Sequence, residues 1–313
     1  MARRRSALRN WAEYLGVRAV VAAARLLPRR KVPAVAAWCG GVLFRVLKSR
    51  RRVVRENVAL AYRGAPGAPD ADALCRASLS NLCRSFLELF LLPPASRLDA
   101  FRAMVRLGGG LDVEGLRAAA GPGPFVFAAY HYGAYEIAGA SAGLFGEPVT
   151  SLMRPLDNPL LDRFLNGIRM RFGQKLAGNR GGLAELTRDL AAGRSAAVLV
   201  DLNMPKPGAV FPDYFGTPAA TAKTAAILAR RERRPLVPVF AHRDSEPFRF
   251  VFEIGAPIYP DLAADRDADC LRMLQAATDA LEERVRRAPD QWLWTHRRWK
   301  TRPPVAPPGG EPS

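Results

Sequence analysis

Histidine is scarce in this 313-residue chain. It occurs only at positions 131, 242 and 296, so few side chains change charge near neutral pH. Cysteine is scarce too: Cys39, Cys75, Cys83 and Cys270 show no CxxC spacing and no histidine neighbour. That argues against zinc ligands or a disulfide framework and suits small buried residues in a reducing compartment. Long apolar runs are missing. Val32–Phe44 is short of the roughly 18–20 residues that a helix needs to span a bilayer, and Arg25, Arg29, Arg30 and Lys31 interrupt anything longer. The same interruptions, with no small-residue cleavage site, argue against a cleaved signal peptide. Internal repeats are absent. Acidic residues are outnumbered, 29 Asp and Glu against 47 Lys and Arg, for a formal charge of +18.

What is present is an ordinary globular apolar content of 49%, enough for one large core or a core with a helical extension. The positive charge is concentrated. Residues 1–63 hold sixteen Lys and Arg against Glu13 and Glu56, a net of 16 − 2 = +14. A second basic cluster comprises Arg284, Arg286, Arg287, Arg297, Arg298, Lys300 and Arg302, with Asp290 among them. Such a balance implies anionic partners: nucleic acid, an anionic membrane, or an acidic protein or substrate. Between Leu15 and Leu47 the charges alternate with apolar runs that include Trp38. A basic, amphipathic, Trp-containing segment lies in a membrane interface more readily than it crosses one. A buried helical hairpin with snorkelling arginines is the alternative.

Residues 1–63 read as helical and basic, and 64–110 as a helical linker region with a Gly/Pro loop at 64–70 and a helix over 71–92. Residues 111–303 alternate short apolar runs with amphipathic helices, and 304–313 read as a disordered tail. Strands are expected at Phe125–Tyr130, Pro148–Met153, Ala196–Asp201, Leu236–Ala241 and Phe248–Ile254. Helices are expected at 135–145, 158–172, 180–192, 218–232 and 267–287. The fold class is therefore α/β, a central mixed sheet flanked by helices, with an N-terminal basic helical membrane-associating segment.

Candidate chemistry centres on His131 and Glu136. An apolar run delivers the histidine to a turn at Gly133, and a carboxylate follows five positions later. Five residues of one continuous helix would leave the two side chains roughly 140° apart, so His131 must precede the helix that carries Glu136. A general base with an orienting acid fits this layout, and so does a strand-end histidine satisfied by a carboxylate. Arg154 and Asn158 follow an expected strand, at the sheet end where open α/β sheets bind ligands. Arg169 and Arg171 lie in the next helix, where an arginine fork suits phosphate or a developing oxyanion. Asp201 ends the run Ala196–Val200, facing a ligand or capping a turn. Val210–Ala222 would wall an acyl-chain groove or pack in the core. Pro289–Pro303 joins three tryptophans to basic residues, which suits stacked bases and phosphates or a lipid headgroup layer.

In this order the motifs resemble the lipid A biosynthesis acyltransferases, the late acyltransferases of lipopolysaccharide assembly within the lysophospholipid-acyltransferase-like superfamily. The resemblance runs from about Trp11 to Pro303 and rests on five features. These are the His-x4-acid motif, Arg154 to Pro159, Arg169, Asp201 with the Phe215–Thr221 block, and the closing Pro-Asp-Gln-Trp-Leu-Trp-Thr-His-Arg-Arg-Trp-Lys-Thr-Arg-Pro, the most specific of all. It implies a glycerolipid acyltransferase-like fold and transfer of a fatty acyl chain from an acyl carrier protein thioester to a hydroxyl of a lipid A precursor. No cofactor is implied. His131 would be the general base, oriented by Glu136, with Arg154, Asn158, Arg169 and Asp201 binding substrate. The implied partners are acyl carrier protein, an anionic glycolipid acceptor and the cytoplasmic face of the inner membrane. The chain departs from the family pattern at Ala134-Tyr135, where many relatives have Asn-Trp, and at Asp201-Leu-Asn203, where Asp-Gln or Asp-His-Asp is usual; both bear on acceptor and chain length. The same chemistry on another glycolipid, such as a phosphatidylinositol mannoside, or with acyl-CoA as donor, is the alternative. A basic nucleic-acid-binding protein is a remote one, since it leaves His131 and Glu136 without a task.

Overall fold

The alternation of apolar runs and amphipathic helices builds a mixed seven-stranded sheet covered on both faces. The computed structural model describes residues 6–63, 67–109, 111–178, 181–205 and 207–304. Apart from Pro304, the tail expected at 304–313 lies outside them. The helices are α1 (Ala7–Arg25), α2 (Val32–Val46), α3 (Lys48–Tyr62), α4 (Ala71–Phe90), α5 (Leu98–Arg102), α6 (Val113–Ala120), α7 (Tyr135–Leu144), α8 (Pro159–Arg169), α9 (Gly182–Ala191), α10 (Thr224–Arg231) and α11 (Arg266–Arg287). The strands are β1 (Val105–Gly108), β2 (Val126–Ala129), β3 (Val149–Met153), β4 (Lys175–Gly178), β5 (Ser195–Leu199), β6 (Ala209–Val210), β7 (Asp213–Tyr214), β8 (Thr217–Pro218), β9 (Thr221–Ala222), β10 (Leu236–Arg243) and β11 (Phe250–Ile254).

The main sheet runs β1-β11-β10-β2-β5-β3-β4. Only β10 and β11 pair antiparallel; every other contact is parallel. Central β2 and β5 are nearly all apolar because helices cover both faces. One face packs on α9, α10, α11 and the closing tryptophans, and the other on α5, α6 and α7. β1 joins the sheet from within the stretch read as a linker, so the sheet begins before residue 111. The helix expected at 218–232 is shorter than its pattern suggested. Thr217–Ala222 belongs to two small hairpins, β7/β8 and β6/β9, and α10 starts only at Thr224.

The N-terminal helices are neither wholly buried nor wholly exposed. Val32, Ala36, Gly40 and Phe44 repeat every four residues and form the buried face of α2. That face meets α4 closely, because a Cβ on Gly40 would stand 2.6 Å from the Ser80 backbone nitrogen. The opposite side leaves Trp38 69% exposed, Leu26 at the end of α1 is 86% exposed, and α1 itself exposes Leu8, Trp11 and Leu15. Among the described residues no single helix is long and apolar enough to cross a membrane, although α2 and α3, bent by 96°, pass such a test together. A half-buried basic helix pair with Trp38 on its open side suits the membrane interface.

Candidate active site

The sheet register brings the site together. β2 and β5 are neighbours, with Ala129 paired to Leu199. Two residues beyond that pair come His131 and Asp201, which therefore leave the same sheet edge side by side. His131 Nδ1 lies 2.8 Å from Asp201 Oδ1, and the His131 backbone N–H donates to Asp201 Oδ2 at 2.8 Å. The Trp292 indole N–H donates to the same Oδ2 at 3.0 Å. Asp201 is thus buried with three donors around it. Burial opposes its charge, but the charge and hydrogen bonds of His131 outweigh that, and the carboxyl is held below its ordinary range. Burial likewise opposes the imidazolium; Asp201 overcomes it, with a further contribution from Glu136, and His131 sits above its ordinary value.

Glu136 does not orient the imidazole as the motif suggested. It sits in the first turn of α7, where the helix N-terminus favours a carboxylate. There it binds Arg169 in a buried fork, Nε to Oε2 and Nη2 to Oε1, both 2.8 Å. Strand order explains the exchange. A carboxylate on the neighbouring strand reaches Nδ1 directly, whereas the α7 carboxylate lies beyond the turn. Gly133 makes that turn possible. Its φ is +61°, and a Cβ would stand 2.5 Å from the Ala241 carbonyl oxygen.

Beside this pair opens a cleft of about 670 Å³ between α7 and the sheet. His131, Glu136, Arg154, Arg169 and Asn203 line it together with Phe127, Ala129, Ala138, Ala197, Leu199, Val239 and Phe252. Its size and apolar walls suit a small-molecule or lipid ligand. Arg154 is exposed at the rim and pairs with Asp157 at 3.6 Å. Asn158 lies elsewhere. Its side-chain oxygen caps α8 through Leu160 N and Leu161 N, and its amide donates to Asn10 O and Glu13 Oε2 of α1. Buried and engaged on both sides, it is a helix cap that ties α1 to α8, not a cleft residue. Arg171 is separated from Arg169, because its guanidinium donates to the carbonyls of Leu92 and Pro93.

Two other expectations change. Of Val210–Ala222, Ala222 lines the cleft, whereas Tyr214 and Phe215 pack against Trp292, Trp294 and Trp299. The tryptophans of the closing block are buried, so they offer no face to bases or headgroups. They brace the site instead. Buried Arg298, pushed down to about 10 by burial, donates to the Leu202 and Ala220 carbonyls. His296, pushed down to about 4 by burial, accepts from Asn203 N at 2.9 Å. From the other side, Asn57 of α3 donates to the carbonyls of Trp294 and His296, and Ser78 of α4 to that of Trp292. Trp292 is the site residue that sequence reasoning missed. Its signal was the closing block itself, read for its surface chemistry instead of for a buried indole N–H.

An imidazole fixed by a buried carboxylate at the mouth of an apolar cleft, on an α/β sheet, is the equipment of an acyl-transfer enzyme. The chain belongs to the bacterial lipid A biosynthesis acyltransferase family, whose profile matches residues 1–301. It is 24% identical over 304 residues to the lipid A biosynthesis myristoyltransferase of Escherichia coli K12, covering 95% of this chain and 89% of that one. It is 27% identical over 172 residues to a lipid A biosynthesis acyltransferase of Haemophilus influenzae, an alignment that spans about half of that relative (52%) and 55% of this chain. A phosphatidylinositol mannoside acyltransferase of Mycobacterium tuberculosis is 27% identical over 251 residues, covering 79% of this chain and 76% of its own length. The protein is thus an acyltransferase of the lipid A and glycolipid class.

Proposed function

We propose that the protein transfers a fatty acyl chain from acyl carrier protein to a hydroxyl of an anionic lipid A precursor at the cytoplasmic face of the inner membrane. The observation that carries this reading is the His131–Asp201 pair at the cleft mouth. With Asp201 ionised, Nδ1 holds the imidazole proton and Nε2 is left to accept one. As the acceptor oxygen attacks the thioester carbonyl, Nε2 takes the hydroxyl proton. The tetrahedral intermediate collapses by breaking the carbon–sulfur bond, and the proton passes to the departing thiolate. Asp201 stabilises the imidazolium between these steps. Arg154 at the rim suits an acceptor phosphate, the apolar cleft suits the acyl chain, and the basic N-terminal helices suit an anionic bilayer. Acyl carrier protein and the acceptor are both acidic, which gives the charge of +18 a purpose.

His131→Ala should lower transfer by roughly a thousandfold, within the range of general-base catalysis, while the protein still sediments with membranes. Substantial residual turnover would refute the assignment. The pH profile gives a second expected outcome. The base must be neutral at the start, and its pKa is raised, so kcat/KM should climb with pH and level off only above the ordinary histidine value of 6.5. A limb below that value would contradict the pairing. The likeness to the phosphatidylinositol mannoside enzyme supports a second acceptor. Mass spectrometry of lipid A from a strain lacking this protein separates the two, because one acyl chain should be missing if the acceptor is a lipid A precursor. Parallel assays with acyl carrier protein and CoA thioesters identify the donor.

A further inference from the structure

The cleft is apolar along most of its depth, with one polar pair far down it and Val149 and Ala142 lining it further on. Strand register orders the lining side chains into rows. Phe127 pairs with Ala197 and Ala197 with Ser151, so these three share a row across β2, β5 and β3. Phe127 precedes His131 by four residues, so this row lies about 13 Å below the imidazole at roughly 3.3 Å per residue. Here Ser151 accepts a hydrogen bond from Gln174 Nε2 at 2.7 Å, and both side chains line the cleft. Gln174 stands just before β4 and reaches across to α7. It fits there because residue 139 is glycine: a Cβ at Gly139 would stand 2.1 Å from Gln174 Nε2 and 2.4 Å from its Cδ. The amide thus occupies the space that a side chain at position 139 would take.

The pair is too deep to touch the reacting atoms, and it has no part in the His131–Asp201 or Glu136–Arg169 contacts. A polar amide at this depth is a poor neighbour for hydrocarbon, since a methylene pressed against it gains little and strips it of solvent. We propose that Gln174, held by Ser151 and admitted by Gly139, is the chain-length stop of the groove. Acyl chains that end above it are accepted, and longer ones are penalised. This rests on reading the cleft as the acyl site.

The test is displacement of a fluorescent fatty acid from the full-length protein in detergent by saturated fatty acids of increasing length. For the wild type, affinity should rise with each methylene and then plateau. In Gln174→Ala the rise should continue past that plateau, by about fourfold for each further methylene buried. Gln174→Asn keeps the amide but withdraws it by one methylene. It should move the plateau the same way by less, and it guards against a fold lost in the alanine variant. An unchanged plateau in both variants, with unfolding transitions like the wild type's, overturns the proposal. Displacement needs no turnover, so a wrong base assignment leaves this readout intact. If no fatty acid displaces the probe from the wild type, the acyl reading of the cleft and the chain-length stop fall together, while His131→Ala still judges the base.

Discussion

Asp201→Asn should cut transfer by on the order of 10³–10⁴-fold with the fold intact. The amide is nearly isosteric and can still accept from the His131 backbone and the Trp292 indole, so the loop keeps its shape. What disappears is the charge facing Nδ1. An asparagine no longer selects the tautomer that leaves Nε2 unprotonated, nor does it stabilise the imidazolium, and an aspartate-to-asparagine change behind a catalytic histidine costs about this much in serine proteases. The acid limb of the pH profile should move down as well. His131 would stay buried, and burial, the largest influence on it, depresses its pKa once Asp201 no longer opposes it. Turnover near wild type in Asp201→Asn, with a large loss in Glu136→Gln, would falsify the pairing and restore the motif carboxylate as the orienting acid.

The second large effect falls on stability. Glu136 and Arg169 form a buried two-point ion pair, with side-chain exposures of 7% and 9%. Removing one member leaves the other's charge uncompensated in the protein, which costs about 3–5 kcal/mol. Glu136→Ala should therefore unfold at a markedly lower denaturant midpoint. It should also lose activity, because the freed guanidinium lines the same cleft as His131. The double variant Glu136→Leu with Arg169→Met, apolar at both positions, should recover much of the stability but not the activity. If Glu136→Ala keeps the wild-type midpoint, the pair is not the buried clamp that its geometry describes.

The sequence carried the class of the fold and the members of the site, but not their pairing. Five of the seven main-sheet strands were legible as apolar runs because they are buried on both faces. The two missed, β1 and β4, are the sheet's edges. Each is four residues long and carries a charge and a glycine, Arg106 and Gly108 or Lys175 and Gly178, as edge strands do to avoid further pairing. The carboxylate exchange has a similar cause. Nearness along the chain pointed to Glu136, five residues away, whereas Asp201 is seventy away and becomes a neighbour only once β2 lies beside β5. Strand order is a property of the assembled sheet, and no local pattern states it. Asn158 misled for the opposite reason. Its place ahead of Pro159 is an ordinary helix start, and the cap it supplies accounts for it fully.

The indole behind Asp201 also imposes an order in time. The ribosome makes His131 and Asp201 well before Trp292, so a growing chain holds the histidine and its aspartate while the third donor to that carboxylate is still unmade. The loop after Asp201 waits as well, for His296 to receive Asn203 and for Arg298 to reach Leu202 and Ala220. The closing block therefore completes the surroundings of Asp201 only after the strands that set it beside His131 have been made.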